Sequence, residues 1–383
     1  MDRRADLDWL RVIAFGLLIL YHAGLAWTGW GWHLNSTETL PWLAEIMRFT
    51  NRWRIPLIYM IAGGAVGLAL AHRGVGSFAI DRLRRLLLPL VFGVLVIVPP
   101  QIYLERLYYG QFTGSFLEWL PQAYDSGNLA WVHLWFVGYI FVLSFVLLPV
   151  FLWMRTLQGR EVQARLAKAM ARKSLHWLMA VPLMIVMLVL GPISSNAQYL
   201  IGDWYGIGLA AVLMIYGDFV FNTPEMLALL QRRCWTAVAV GLVSFVVLDV
   251  VIFHLMPGER VRLFGLPVYA PLSALNMTAW LFAGIGLGSR YLTRRPPFLS
   301  RATEALYPFY LLHQTVTVAA VYLLLTFHVP ALPGYLLTVL ATFGVTWLIY
   351  AGGVRPWPWV RPLFGMKPLA PRAAALPGPT TAL

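Results

Sequence analysis

Cysteine is almost absent from this chain. Its single copy, Cys234, excludes an intrachain disulfide and any metal centre built on thiolates. Charge is scarce too. Only 12% of the 383 residues are Asp, Glu, Lys or Arg, where a soluble domain carries about a quarter. Acidic residues are the rarer sign, 16 against 29 basic ones, for a formal net charge of +13. Such a balance can signal nucleic acid. Here, however, the cations sit in short clusters between apolar runs, the pattern of cytoplasmic loops, so nucleic acid is not an expected partner. The short alternating strands of a membrane β-barrel are missing, and there is no internal repeat. No small-residue cleavage site interrupts the first apolar run, which continues through Ala26-Trp27. It reads as a retained span and not as a removable signal.

What remains is hydrophobic: 60% of the residues, in runs long enough to cross a bilayer. The expected fold is all-α, a polytopic membrane helix bundle of about ten transmembrane helices. The runs fall near 8–28, 54–71, 84–104, 130–154, 176–193, 200–221, 234–256, 268–289, 302–326 and 332–353. With both termini cytoplasmic, 22 of the 29 Lys and Arg lie on the inner side and six on the outer, Arg11 being inside the first span. That asymmetry supports the orientation. Residues 1–353 then form one integral membrane domain, and 354–383 a short Pro- and Ala-rich cytoplasmic tail. The basic linker 155–175 suits an amphipathic helix that meets anionic lipid heads. The outer segments 29–53 and 105–129 are aromatic-rich. They read as interfacial belts or as surfaces on which sugar rings stack.

Ionisable side chains inside membrane spans are costly and mark function by default. Arg11 and His22 share the first span. Eleven residues are about three helical turns plus roughly 20°, with a rise of about 16 Å. Both side chains therefore lie on one face, Arg11 near the inner end and His22 in the outer half. His313 in the ninth span falls at a similar depth, and His133 at the start of the fourth lies somewhat above. Each lone histidine also has a purely structural reading, an interhelical hydrogen bond. Imidazoles and tyrosine hydroxyls gathered at one level can transfer protons. A metal ion is not expected, because no local His spacing or accompanying carboxylate supports one. Arg54, in Arg52-Trp53-Arg54-Ile55-Pro56, is either a snorkelling cation or a clamp for a polar group arriving from outside. Arg82 and Arg85, in the basic start of the third span, either anchor the inner face or hold phosphates. Asp249 either pairs with a buried cation or relays protons.

These residues, in order, resemble the bacterial acyltransferase family 3 of integral membrane O-acyltransferases. The resemblance rests on Arg11-x10-His22, on Arg54-Ile-Pro56 with Gly63, and on Arg82-Leu-Arg84-Arg85 with Pro89. It continues in His133-Leu-Trp135-Phe136 and in Tyr307-Pro308-Phe-Tyr310-Leu-Leu-His313. The opening Asp8-Trp-Leu-Arg11-Val looks closer to the branch that contains glucans biosynthesis protein C than to branches with a Gly-Leu-Arg-Gly opening. The resemblance covers roughly residues 6–353.

It implies transfer of an acyl group, acetyl or succinyl, from a cytoplasmic acyl-CoA to a hydroxyl on an extracytoplasmic glucan, polysaccharide or glycolipid, in the bacterial inner membrane. Acyl-CoA is then a co-substrate, and no cofactor is permanently bound. A homo-oligomer is compatible with this reading. The implied roles are His22 as base and Arg11 as donor-orienting residue. His313 and His133 stabilise the oxyanion or hold the His22 tautomer. Arg54, Arg82, Arg85, Trp135, Tyr307 and Tyr310 contact the substrates. A covalent acyl-histidine relay is an alternative route. The competing class is a secondary transporter or lipid-linked sugar flippase, although the paired, broken helices of such folds are not evident. A third class is a non-catalytic membrane sensor or scaffold.

The lone cysteine makes the orientation testable. In a Cys234→Ser background, Arg160→Cys should be labelled by an impermeant maleimide only after the membrane is opened, and Gln111→Cys in intact spheroplasts. The reverse pattern would refute the topology.

Overall fold

A segment in hydrocarbon must satisfy its own backbone hydrogen bonds, and a lone segment does so only as a helix. The computed structural model follows that rule over the residues it describes, 4–125, 129–172, 174–255, 262–263 and 266–369. Helix α1 is Ala5–Leu25. A loop leads to α2, Pro41–Asn51, and directly to α3, Arg54–His72. Helix α4 is the long run Val75–Tyr108. Then come α5, Trp135–Val146, and α6, Leu148–Arg155, which form one span bent by 56°. Helix α7, Leu157–Ala171, is the expected basic linker helix, capped by Thr156 Oγ1 accepting from the Gly159 N–H at 3.0 Å. The remainder are α8, Ala180–Val189; α9, Trp204–Asn222; α10, Pro224–Val246; α11, Tyr269–Tyr291; α12, Pro297–Thr326; and α13, Ala331–Leu348. Nine helices among the described residues are long and apolar enough to span, or ten with the bent pair, in line with the expected bundle. The only strands among those residues are two-residue pieces, 262–263 against 266–267.

Some boundaries differ from the sequence reading, each for a physical reason. The seventh span starts at Pro224, because Arg232 and Arg233 are carried on the exposed side of α10 and do not end it. The outer segment 29–53 contains a helix, α2, begun by Pro41 at a position where a helix needs no N–H. Position 256 at the end of that span, the counted cations Arg3, Lys173, Arg260 and Arg372, and positions 370–383 of the tail lie outside the described residues. The part of the tail that is described returns to the bundle. Phe364 and Met366 are buried in the core, and Arg361 donates to Glu304 at 2.9 Å. Gly365 has φ +65° and lies so close to Tyr307 that a Cβ would sit 2.3 Å from its ring.

Prolines set the irregular turns of α4. Pro89 lacks the N–H that would bond the Arg85 carbonyl, and residues Leu83–Leu87 widen into a π turn. Pro99 and Pro100 do the same to Gly93–Ile97. The freed carbonyls find other donors: Tyr124 Oη donates to Leu95 O at 3.0 Å, and Thr315 Oγ1 to Ile97 O at 2.7 Å. Gln101 Nε2 then donates to Thr315 Oγ1 at 2.7 Å. The proline defect thus becomes a tie between α4 and α12.

Helices in a bilayer associate through close packing of small residues. Gly63-x-x-x-Gly67 on α3 meets Gly217 on α9 backbone to backbone. A Cβ at Gly63 would be 1.9 Å from Met214 O, and one at Gly217 would be 1.8 Å from Met60 O. Beside this contact the fully buried Asp218 pairs with Arg155 and accepts from Asn222 at 2.5 Å. A Cβ at Gly67 would strike Asp218 Oδ1 at 1.6 Å. Removing the arginine leaves a buried carboxylate without its cation, at a cost of about 3–5 kcal/mol. Arg155→Ala should therefore lower the melting temperature in detergent clearly, and Gly67→Ala should lower it by overpacking. An Arg155→Ala protein that melts with the wild type would show that the pair is not structural.

Candidate active site

The polar face of α1 is met halfway across the bundle by α12. His22 Nδ1 lies 2.8 Å from His313 Nε2, with the two rings nearly parallel at 17°. The direction of this bond follows from its surroundings. His313 Nδ1 faces two carbonyls, Tyr310 O at 2.8 Å and Phe309 O at 3.1 Å. Carbonyls only accept, so Nδ1 carries the proton and Nε2 of the neutral ring accepts. His22 therefore donates from Nδ1, and its Nε2 keeps the lone pair. That atom takes no hydrogen bond within the described residues, and His22 lines a cavity of about 450 Å³. The arrangement is an oriented imidazole base whose orienting partner is neutral.

His133 completes the layer. Its ring stands edge-on to His313 with centroids 5.3 Å apart, and its Nε2 donates to Leu311 O at 3.2 Å. The sequence places His133 somewhat above the other two; in the structure it is in contact with His313. It lies in the 3-10 turn Val132–Leu134 ahead of α5. Its carbonyl is held by the Tyr310 hydroxyl. Tyr310 stacks on Tyr307 with planes 5° apart. The Tyr307 hydroxyl is buried without a hydrogen-bond partner among the described residues.

Arg54 is not a snorkelling cation. It is 1% exposed, lines the His22 cavity, and lies 3.5 Å above the Tyr21 ring. Trp30, Trp32 and His33 of the loop after α1, and Asn51 of α2, line that cavity with it. Nη2 donates to Asn51 Oδ1 at 3.3 Å, while Nε and Nη1 are buried without hydrogen-bond partners among the described residues. A buried guanidinium with two unused donors is expensive unless an anion or a developing negative charge meets it.

The other expected residues divide between the two ends of the fold. Trp135 lines the His22 cavity, as does Tyr310. Arg11 is at the far end of α1, 3.7 Å from Asp8, with its side chain 30% exposed. Arg82 feels the charges of Asp81, Arg85, Arg73 and Arg11, and Arg85 pairs with Asp81 at 2.8 Å. The structure thus gathers Arg11, Arg82 and Arg85 into one basic group, separate from the histidine layer. Asp249 pairs with Arg48 at 3.5 Å, which favours the ion-pair reading of that residue over a relay.

His33 is the functional candidate that the sequence reading passed over. It lines the same cavity, and its Nδ1 is bonded to Glu105. Gln314, the residue after His313, donates from Nε2 to His33 Nε2 at 3.1 Å. An imidazole held by a carboxylate is a familiar acid–base unit. Its members come from a loop, from the end of α4 and from α12, so no spacing in the sequence announces it. The one available hint was Gln314 beside His313.

Comparisons with known proteins bear on the family. The family model described as an acyltransferase domain, that of acyltransferase family 3, matches residues 4–351. Glucans biosynthesis protein C of Salmonella paratyphi A is 23% identical over 385 aligned residues, covering 96% of this chain and 95% of its own. The protein of the same name from Salmonella typhi gives the same figures. That of Shigella dysenteriae serotype 1 is 23% identical over 262 residues, 64% of this chain and 66% of its own. No solved structure matches the chain. With the family model spanning nearly its whole length, the chain belongs to acyltransferase family 3 and is an integral membrane acyltransferase.

Proposed function

We propose that the protein moves an acetyl or succinyl group from acyl-CoA, bound at the cytoplasmic side, to a hydroxyl of a glucan outside the bacterial inner membrane. The observation that carries this reading is one cavity holding both an imidazole with a free Nε2 and a buried guanidinium with two unused donors. The whole-length likeness to proteins named for glucan biosynthesis supports the acceptor class.

In this scheme His22 Nε2 takes the proton of the acceptor hydroxyl as the oxygen attacks the thioester carbonyl carbon. The resulting oxyanion develops where the spare donors of Arg54 can meet it. Collapse breaks the C–S bond, the thiolate receives the proton from the His22 imidazolium, and the products are the ester and free CoA. His313 keeps His22 in the productive tautomer throughout. The arginines at the other end of α1, Arg11, Arg82 and Arg85, suit the phosphates of CoA. Arg11 and His22 are about 16 Å apart along the helix, so the acyl arm extends along α1 to reach the base.

General base catalysis is worth about 10²–10⁴-fold, and one oxyanion donor about 10²–10³-fold. His22→Ala should lose acyl transfer by the first factor and Arg54→Met by the second, at normal protein levels. His313→Phe should lower turnover with little change in acceptor affinity. Transfer measured with purified protein in detergent micelles is the decisive format, because a transporter needs a sealed compartment. His22→Ala at the wild-type rate would overturn the assignment of the base. No acyl transfer by the wild-type protein, given acetyl-CoA or succinyl-CoA and glucan, would overturn the function.

A further inference from the structure

A second and larger cavity, about 810 Å³, adjoins the first on the side where α1 ends and α3, α9 and α11 begin. Nothing in the scheme above uses it. Trp30, Asn51, Ile55, Trp135 and Gln198 line both cavities, so the two share a wall. We propose that this second cavity is the binding site for the acceptor glucan, and that Trp30 and Trp135 hold one sugar ring so that its hydroxyl reaches His22. The proposal rests on the acyl-transfer reading for the identity of the acceptor.

The chemistry of the lining favours a neutral sugar. A pyranose ring offers flat patches of C–H to an aromatic face and a rim of hydroxyls to planar polar groups. The cavity supplies both, with Trp30, Trp135, Tyr59, Tyr205 and Tyr269 among its aromatics. The formal charges of its lining balance. Arg48 pairs with Glu45 and Asp249. Arg52, which donates to Ser273 Oγ at 3.2 Å, is matched by Asp203, which accepts from the Tyr139 hydroxyl and the Gln198 N–H, both at 2.8 Å, and from the Gly206 N–H at 2.9 Å. A lining without a marked excess of one sign suits a neutral ligand.

The independent sign of a ligand is Tyr59. It is 3% exposed and lines the cavity, and its hydroxyl is buried with no hydrogen-bond partner among the described residues. Buried hydroxyls are seldom left unsatisfied, and a sugar hydroxyl is a fitting partner. The two tryptophans also connect the cavity to the chemistry. Trp30 packs on Tyr21 at 6.2 Å, the same ring that carries Arg54. Trp135 packs on Tyr139 at 5.1 Å, whose hydroxyl holds Asp203. Tyr21 thus ties Trp30 to the first cavity, and Tyr139, through Asp203, ties Trp135 to the second.

The test uses full-length protein in detergent micelles, a short neutral gluco-oligosaccharide as acceptor, and acetyl-CoA or succinyl-CoA as donor. Tyr59→Phe removes one hydroxyl and should raise the acceptor KM about fivefold, the worth of one ordinary hydrogen bond. Tyr205→Ala should raise it about tenfold through lost stacking. In both, kcat should fall less than the KM rises, which a general loss of structure would not produce. Trp42→Ala, an exposed outer aromatic that packs on Tyr335 away from either cavity, serves as the control and should leave KM unchanged. Calorimetric titration of the oligosaccharide keeps this inference separate from the acyl-transfer reading. Binding that weakens in Tyr59→Phe and Tyr205→Ala supports the site even if no ester forms. Absent binding, or variants with unchanged acceptor KM and affinity, would overturn it.

Discussion

Close backbone contact between α3 and α9 sets the relative position of key residues of the two cavities. Gly63, Gly67 and Gly217 allow the helices to touch main chain to main chain, and van der Waals packing of this kind is a main source of helix association where lipid and side chain are equally apolar. Helix α3 carries Arg54 at its first position and Tyr59 one turn later. Helix α9 carries Tyr205 and is capped by Asp203. A shift of either helix would move the guanidinium relative to His22. The buried Arg155–Asp218 pair beside the glycines acts on register more than on strength, since breaking it is costly although the intact pair adds little over apolar packing.

The imidazole layer answers a problem set by depth. An acid–base centre in water is commonly oriented by a carboxylate, but an ionised carboxylate midway through a bilayer must be offset by a cation or be desolvated at large cost. Here the orienting group is a second neutral imidazole, whose own proton is tied to the Tyr310 and Phe309 carbonyls of α12. Those carbonyls are available because the ring folds back toward the preceding turn of its own helix. The carboxylate-backed histidine, His33 with Glu105, stands nearer the cavity mouth, where Glu105 is partly exposed and its charge is cheaper.

Much of this was legible in the sequence, and the failures have physical causes. Apolar runs and the Arg11–His22 spacing are local signals, governed by helix geometry alone, so the spans and the polar face of α1 were readable. So was the meeting of His22 and His313, because depth follows from distance along a helix. The burial of Arg54 was not, because it depends on how the loop after α1 folds back over α3. His33 and Glu105 are 72 positions apart and approach only through that same loop. The π turns in α4 were within reach, since Pro89 and Pro99-Pro100 each remove a donor that the ladder needs.

The separation of the two ends of α1 then takes on a meaning. The basic group around Arg11 and the imidazole around His22 share a helix but not a cavity, and the space lined by His22 continues toward the larger cavity instead. A single-sided enzyme would place both substrates in one cleft. In the proposed scheme a charged donor is held at one surface and a sugar at the other, with the reacting atoms meeting between them. Burying Arg54 there strengthens its field by excluding water, and a neutral imidazole pair lets the proton move without a permanent charge at that depth. The polar face of α1 is the track on which those two requirements meet.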